Sequence, residues 1–387
     1  MTIRRRLPPG ARWVELLGGV RRVELVVDVG LDPRTGKRRQ TRRRFRTVTE
    51  AADAYAAVRS AASGGTYVVR SGVTVQEVID GWLAGRHGIR PSTLAGYRDV
   101  LKPVTAAYGA LPVRQLSKQH VVELVGLLTA GGMKRADGKL RRPWRPRTVN
   151  LLLFTLGQVL DDARRQGIVA RNVAELVDRL PQDRQEMQTY APAEVDRVLA
   201  AARDDRLEHA WYLALYGLRR GEVAGLPWSD VLFDEGVLAV RVTRVAVDGR
   251  ATPSTPKTVK GVRRLPLTKD LAAVLRRAQK RQEGERKIAG AAWQDSGYVV
   301  TNEIGGPLHP ETLSSRWDAL VARAKVRRIR LHDARHTCGT VLHLQGVPTA
   351  VIAAWLGHAD SAFTMRTYVH SQEESLRVAA KALRRRS

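Results

Sequence analysis

HDARHTCGTVLHLQGVPTAVIAAWLGHADSAFTMRTYVH, from His332 to His370, is the stretch on which the fold of this chain turns. Its landmarks are His332-x-x-Arg335, then Leu356-Gly357-His358, then Tyr368. Local punctuation makes helices of it. Asp333 is expected to cap a helix that runs through Leu342 to Gly346, where glycine suits a left-handed stop. Thr349 is expected to open a short second helix ending at Gly357, and Ser361 a third that carries Tyr368. His332 and Arg335 stand about one turn apart at a helix start, so both can face one ligand. Imidazole and guanidinium at a helix N-terminus suit phosphate rather than a cation. The stretch reads as an anion site with a tyrosine delivered to it.

The bulk numbers say which anion. A chain of 387 residues exceeds one ordinary core, so two or three domains are expected. A formal charge of +28 and a pI of about 11.1 call for a polyanion such as DNA, or less often an anionic membrane surface. Against the membrane, no uninterrupted apolar run approaches a bilayer span. MTIRRRLPPG at the start has the charge of a signal peptide but no apolar region after it. One cysteine, Cys338, excludes an intramolecular disulfide, fits a reducing cytosol and reads as core packing. There is no Cys/His cluster with zinc spacing and no internal repeat, and neither a metal nor a cofactor is expected.

Working back to the front of the chain, Ala11 to Arg46 alternates in part and reads as strands, with a hairpin turn at Asp32, Pro33 and Gly36. An alanine-rich helix starts at Thr47 or Thr49. Lys37, Arg38, Arg39, Arg42, Arg43, Arg44 and Arg46 bunch there, and a run this dense repels itself without a polyanion, so DNA contact is expected. Gly64-Gly65 and Ser71-Gly72 mark a linker. Four helices follow. One is capped by Thr74. PSTLAGYRDVLKPV stripes Leu94, Tyr97, Leu101 and Val104, and the segment from Ser117 stripes Val121, Leu124, Val125 and Leu128. The fourth stops at Gly167. PQDRQEMQTY, from Pro181 to Tyr190, reads as a second linker. Beyond it, helices are expected at Ala193 to Ala202, Leu207 to Tyr216, Leu271 to Gln282 and Pro310 to Ala324. GVLAVRVTRVAV and RRLPL read as strands with TPSTPKTVKG as the turn between them, and YVVT from Tyr298 as a further short strand.

A second chemical segment lies at LALYGLRRGEVAGLPWSDV, from Leu213 to Val231. Glu222 stands about one turn after Arg219 and can hold it through a charge-assisted hydrogen bond. Gly217 and Gly221 make this a close-approach segment. Arg220 reads as a surface or structural residue, and His336 and His343 as structural ones. Lys257 sits in Pro256-Lys257-Thr258 just before RRLPL, with Lys260 its rival three residues on.

The two segments, in this order, resemble the signature boxes of the tyrosine recombinases, the phage-integrase family, and TMRTYVH looks like an actinophage-type form of the second. The resemblance runs from about Thr74 to Tyr368, and more loosely from Ala11. It implies three domains: a small α+β arm-type DNA-binding domain over 1–70, an all-α core-site DNA-binding domain over 73–180, and over 188–387 a mainly α catalytic domain with a small antiparallel sheet and a C-terminal tail. It implies Arg219, Lys257, His332, Arg335, His358 and Tyr368 as catalytic residues, with Glu222 in support, and it prefers Lys257 to Lys260. In the implied chemistry Arg219 and Arg335 bind the non-bridging oxygens bidentately, and Tyr368 attacks phosphorus to give a 3′-phosphotyrosine. His332 takes the tyrosine proton, Lys257 protonates the leaving 5′-oxygen and His358 donates to a non-bridging oxygen. The implied partners are double-stranded attachment-site DNA, three further copies of the chain in a tetramer on that DNA, a host bending protein and an excision factor, with no membrane. The implied place is the cytoplasm of a bacterial host, at the nucleoid. A type IB topoisomerase and a non-catalytic DNA-binding regulator stand as alternatives.

Overall fold

The computed structural model describes residues 6–31, 38–63, 72–134, 138–182, 187–254 and 261–358. Asp32, Pro33, Gly36, Lys37, Gly64, Gly65, Ser71, Lys257, Lys260, the segment from Ser361 where a helix is expected, Tyr368 and the tail lie outside the described residues. The chain divides into two compact units, Met1–Asp183 and Arg184–Ser387.

The first unit opens with strands β1 (Ala11–Leu16), β2 (Val20–Leu31) and β3 (Arg38–Phe45), antiparallel in the order β1-β2-β3. Alternation along β2 sends Leu25 and Val27 to one face, where they pack against Val58, Ala54 and Tyr55 of helix α1 (Val48–Ser63). Thr47 caps α1: its hydroxyl accepts from the Glu50 N–H at 3.1 Å, and the Glu50 carboxylate accepts from the Arg46 N–H at 3.0 Å. The opposite face of the sheet aligns Arg12, Glu24 and Arg44 across the three strands. Glu24, 2 % exposed, accepts from Arg12 at 2.8 Å and Arg44 at 3.2 Å. The Arg12 hydrogen bond first, then Arg44, outweigh burial and hold the Glu24 carboxyl below its ordinary range.

Four helices with their own core follow: α2 (Val75–Ala84), α3 (Pro91–Tyr108), α4 (Lys118–Ala130) and α5 (Pro146–Arg165). Their ends are where the caps place them. Thr74 and Glu77 close a capping box on α2, Ser117 accepts from the His120 N–H on α4, and Gly131 ends α4 at φ +80°. Trp82, Leu101, Leu124, Leu128, Leu152 and Leu156 fill the space between them. The Asn150 amide ties α5 to the segment that leaves it, donating to the Leu180 carbonyl at 2.8 Å and accepting from its N–H at 2.9 Å.

The second unit is mainly helical with small sheets. Its helices are α6 (Pro192–Ala202), α7 (Glu208–Leu215), α8 (Arg220–Gly225), α9 (Lys269–Ala289), α10 (Pro310–Arg323), α11 (Leu331–Leu344) and α12 (Thr349–Leu356). Trp211 and Trp317 pack at 5.8 Å between ring centres, tilted by 55°, at the middle of the core, and the Trp317 indole N–H reaches the Ile329 carbonyl at 2.9 Å. The strands are β4 (Val231–Leu232), β5 (Val237–Val240), β6 (Thr243–Val247), β7 (Arg250–Ser254) and β8 (Arg263–Pro266).

They depart from the sequence reading in three ways. GVLAVRVTRVAV is two strands: β5 joins β4 and β8, while β6 pairs with β7. The break follows from α8 packing on β6, because Gly221 and Gly225 bring the helix so close that a Cβ at either would lie within 2.8 Å of Thr243 or Arg244 atoms. The expected turn TPSTPKTVKG begins inside β7, which forms a hairpin with β6. YVVT makes single bridges, Tyr298 to Pro227 and Thr301 to Pro307, rather than a strand. Among the described residues no helix is long and apolar enough to cross a membrane.

His209 on α7 is sealed in this core, and burial first, then the charges of Arg206 and Arg281, push its pKa down to about 3. The unfolded chain takes a proton there near pH 6.5 and the folded one does not, so stability is full above pH 6.5 and falls as pH drops toward about 3. At pH 5 this residue alone should remove about 2 kcal/mol. Urea unfolding of His209→Leu and wild type at pH 7 and pH 5 checks it: the variant should lose about 2 kcal/mol less, and equal losses would refute the assignment.

Candidate active site

The site is built where three separate pieces of chain meet the C-terminal end of α12. The first piece is the α7–α8 turn. Gly217 holds φ +101°, and a Cβ there would stand 2.8 Å from Leu356 Cδ2 and 3.2 Å from Cys338 Sγ, so glycine is required on both counts. This lets the turn lie against α12, with the Trp355 indole N–H donating to the Tyr216 carbonyl at 2.9 Å. Arg219 then caps α8 in extended conformation, and its N–H donates to Glu222 Oε2 at 2.8 Å. The second piece is strand β8 with Arg263. The third is the start of α11, with His332 and Arg335.

Every backbone carbonyl at the end of a helix needs a donor that the helix cannot supply. Here three successive carbonyls at the end of α12 each take one arginine. Arg263 Nε donates to the Trp355 carbonyl at 2.7 Å, Arg335 Nη2 to that of Leu356, and Arg219 Nη2 to that of Gly357 at 2.8 Å. Gly357 itself stops the helix in the left-handed region, at φ +62°. All three guanidiniums also meet one carboxylate. Glu222 accepts from Arg219 Nη1 at 2.8 Å and from Arg263 Nη1 and Nη2 at 3.1 and 2.9 Å, and Arg335 Nη1 lies 3.8 Å away. Glu222 is 2 % exposed; burial would raise its pKa, but Arg263 first, then Arg335 and the Arg219 N–H, hold it below the ordinary carboxylate range.

Of the expected residues, Arg219, Glu222, Arg335 and His358 are thus brought together. Arg219 keeps 36 % of its side chain exposed. Arg335 is 1 % exposed, with Nη1 on the Gly217 carbonyl at 2.6 Å, so the bidentate hold on a ligand expected for it is directed to backbone oxygens here. His358 follows Gly357 directly. Burial, then Arg335 and Arg219, lower its pKa to about 3. His332 stands in the first turn of α11, its ring edge-on to His336 at 5.0 Å. Part of it is open to solvent, yet lost hydration on its inner side, then Arg335, lowers its pKa too, and His336 is brought to about 4 by burial and then His332. All three imidazoles are neutral at neutral pH. Asp333 is not the cap of α11: the helix starts at Leu331, and Asp333 accepts from the Arg330 N–H at 3.0 Å and from its guanidinium at 2.7 and 2.8 Å. Arg220 donates to Ser314 at 3.0 Å, and burial pushes the Cys338 thiol up to about 12, a packing role. Of the front basic run, Arg38, Arg39, Arg42, Arg43 and Arg44 stand on β3 and Arg46 just before α1.

Arg263 was not singled out from the sequence. The available signal was alternation: in β8 Arg263 points in and Arg264 points out, where it meets Glu235. An inward arginine demands a buried acid, and Glu222 is that acid.

Residues 189–375 match the model of the phage integrase family. A tyrosine recombinase, XerC-like, of Caldanaerobacter subterraneus is 31 % identical over 198 residues, covering 48 % of this chain and 51 % of that protein. The ICEBs1 integrase of Bacillus subtilis is 28 % identical over 229 residues, 58 % of this chain and 61 % of its own length. The chain thus spans between half and two thirds of these two relatives. An integrase of Streptomyces ambofaciens is 27 % identical over 88 % of this chain and 87 % of its own. Among solved structures, the Tn1549 transposon integrase in complex with transposon right end DNA superposes with a TM-score of 0.63 at 20 % identity, covering 80 % of this chain and 99 % of that one. A lambda integrase tetramer bound to a Holliday junction gives 0.57 at 17 % identity, over 94 % and 96 %. At these identities the structures speak for the fold alone.

Glu222→Gln tests the charge arrangement. It keeps the shape but leaves the three guanidiniums without a counter-ion, so chemical denaturation should show a loss of about 3–5 kcal/mol. A loss under about 1 kcal/mol would mean that the carbonyls alone hold the arginines.

Proposed function

We propose that this chain, which belongs to the phage integrase family, is a tyrosine-type site-specific recombinase that cuts and rejoins DNA strands through a 3′-phosphotyrosine. The observation that carries the proposal is the gathering of Arg219, Arg335 and His358 at the end of α12, with His332 beside them, just upstream of Tyr368. The relatives and structures above are named as recombinases and integrases, which favours this reading over a topoisomerase or a regulator.

The chemistry proceeds from charge. A phosphodiester repels an anionic nucleophile, and arginine charge beside it stabilises what builds up on its non-bridging oxygens. Arg219, the more exposed of the two, makes the direct contact. Arg335 supplies its charge from below, through a low-dielectric surrounding where it is weakly screened. The Tyr368 hydroxyl passes its proton to His332, and its oxygen bonds to phosphorus. The bond from phosphorus to the 5′-oxygen breaks, and Lys257 protonates that oxygen as it leaves. A neutral His332 is what a base requires, and a neutral His358 still has one N–H to donate to a non-bridging oxygen. The phosphotyrosine conserves the energy of the broken bond, so a different 5′-hydroxyl can reverse the step without ATP.

In this reading the front sheet binds arm-type DNA sites and the four-helix region binds the core site. Four copies assemble on the DNA, as in the lambda integrase tetramer on a Holliday junction, with a host bending protein and an excision factor acting beside them. The protein works in the bacterial cytoplasm, on the chromosome or a mobile element.

Tyr368→Phe should bind attachment-site DNA as wild type does and form no covalent adduct on a nicked suicide substrate. An adduct of undiminished yield would remove Tyr368 from the mechanism. The leaving-group acid is tested by replacing the bridging 5′-oxygen with sulfur, which departs without a proton. Lys257→Ala should be about 10²–10⁴-fold slow on ordinary DNA and near wild type on the sulfur substrate. Arg219→Ala should stay slow on both, and rescue of Lys260→Ala instead would transfer the role to that lysine.

A further inference from the structure

We propose that Arg263 is a positioning residue of this site: it fixes Glu222 and the end of α12 together, and so sets where Arg219 and His358 stand. The inference rests on the recombinase reading and adds a residue to it. A guanidinium has five N–H donors. Four of those of Arg263 end on Trp355 O at 2.7 Å, Glu222 Oε1 at 3.1 Å, Glu222 Oε2 at 2.9 Å and Gly261 O at 3.1 Å. Its side chain is 6 % exposed, so it has no face left for DNA and is not a catalytic residue. Together the four bonds reach three different pieces of the site. Glu222 belongs to α8 and carries Arg219. Trp355 lies two residues before Gly357, whose carbonyl Arg219 also holds, and three before His358. Gly261 is where the chain emerges from the 255–260 segment that carries Lys257.

Remove the guanidinium and the links fail together. Glu222 loses the fork that grips both its oxygens, while Arg219 depends on those same oxygens for its own orientation. The Trp355 carbonyl loses its donor, and with it goes the hydrogen bond that joins β8 to the end of α12. A lysine offers a point charge without the planar fork and cannot span a carboxylate and a carbonyl in the same way. A displacement of about 1 Å in a group that stabilises charge is enough to slow a reaction about 10²-fold.

The test separates misplacement of Arg219 from plain loss of folding. Wild type, Arg263→Met and Arg263→Lys are compared in single-turnover adduct formation on two nicked substrates built from the attachment site. One has an ordinary scissile phosphate. The other has a methylphosphonate there, whose methyl group removes the negative charge that Arg219 serves to neutralise. Arg263→Met should be about 10²–10³-fold slow on the phosphate and within about tenfold of wild type on the methylphosphonate. Arg263→Lys should follow the same pattern less severely, and it carries the test if Arg263→Met shows no cooperative melt. A variant that matches wild type on both substrates, or is equally slow on both, overturns the proposal while the recombinase reading stands. A wild-type chain that forms no adduct on either substrate overturns the recombinase reading, and this proposal with it.

Discussion

One buried carboxylate organises the second unit. Three guanidiniums surround Glu222, and two positive charges are left unbalanced beside it. Such a cluster is tolerable in a protein interior only if its remaining donors are satisfied and dipoles oppose its charge. The end of α12 does both. A helix C-terminus is negative through its dipole and through its bare carbonyls, and here those carbonyls are the acceptors that the arginines still need. The Leu-Gly-His segment therefore has a part beyond its histidine: its backbone is half of the arginine mount. Gly217 belongs to the same construction, because a Cβ there would stand 2.8 Å from Leu356 Cδ2, against the close approach of the turn to the end of α12.

The neutral histidines complete this picture. Since arginine holds its charge across the whole physiological range, the positive field of the site does not vary with pH. That field itself keeps His358 and His332 unprotonated, next to the burial that acts first. Fixed charge and titratable nitrogen thus stand on different side chains, the separation that the proposed acid–base chemistry on an anion requires.

Much of this was legible in the sequence where a residue acts locally. Thr74 and Ser117 cap helices through side-chain hydrogen bonds, and the helices begin beside them, while Gly167, at φ +69°, stands just past the end of α5. The closeness around Gly217 and Gly221 was legible too, since two glycines flanking Arg219 leave the backbone bare where a neighbour can press against it. What escaped depends on partners far along the chain. The division of GVLAVRVTRVAV is imposed by α8 pressing on Thr243 and Arg244, and no periodicity inside that strand announces it. Asp333 reads equally well as a cap or as a third-position acid, and only Arg330 decides between them. Arg263 hid in a basic pair: Leu265 two residues on puts it on the inward face, but nothing near it in the sequence names the acid it meets. Its partner lies 41 residues away.

The front sheet has an arithmetic of its own. Arg12 and Arg44 flank Glu24 on the face opposite α1, so two of that face's cations share one anion before any ligand arrives. A polyanion that docks there meets a trio of net charge +1, not a pair of charge +2. Condensed ions leave a nucleic acid in proportion to the charge that replaces them. A tally of arginines on this face would therefore overstate how steeply such docking weakens with salt. What the pair keeps is geometry: two planar forks set at a fixed spacing across three strands, their freedom already spent in folding.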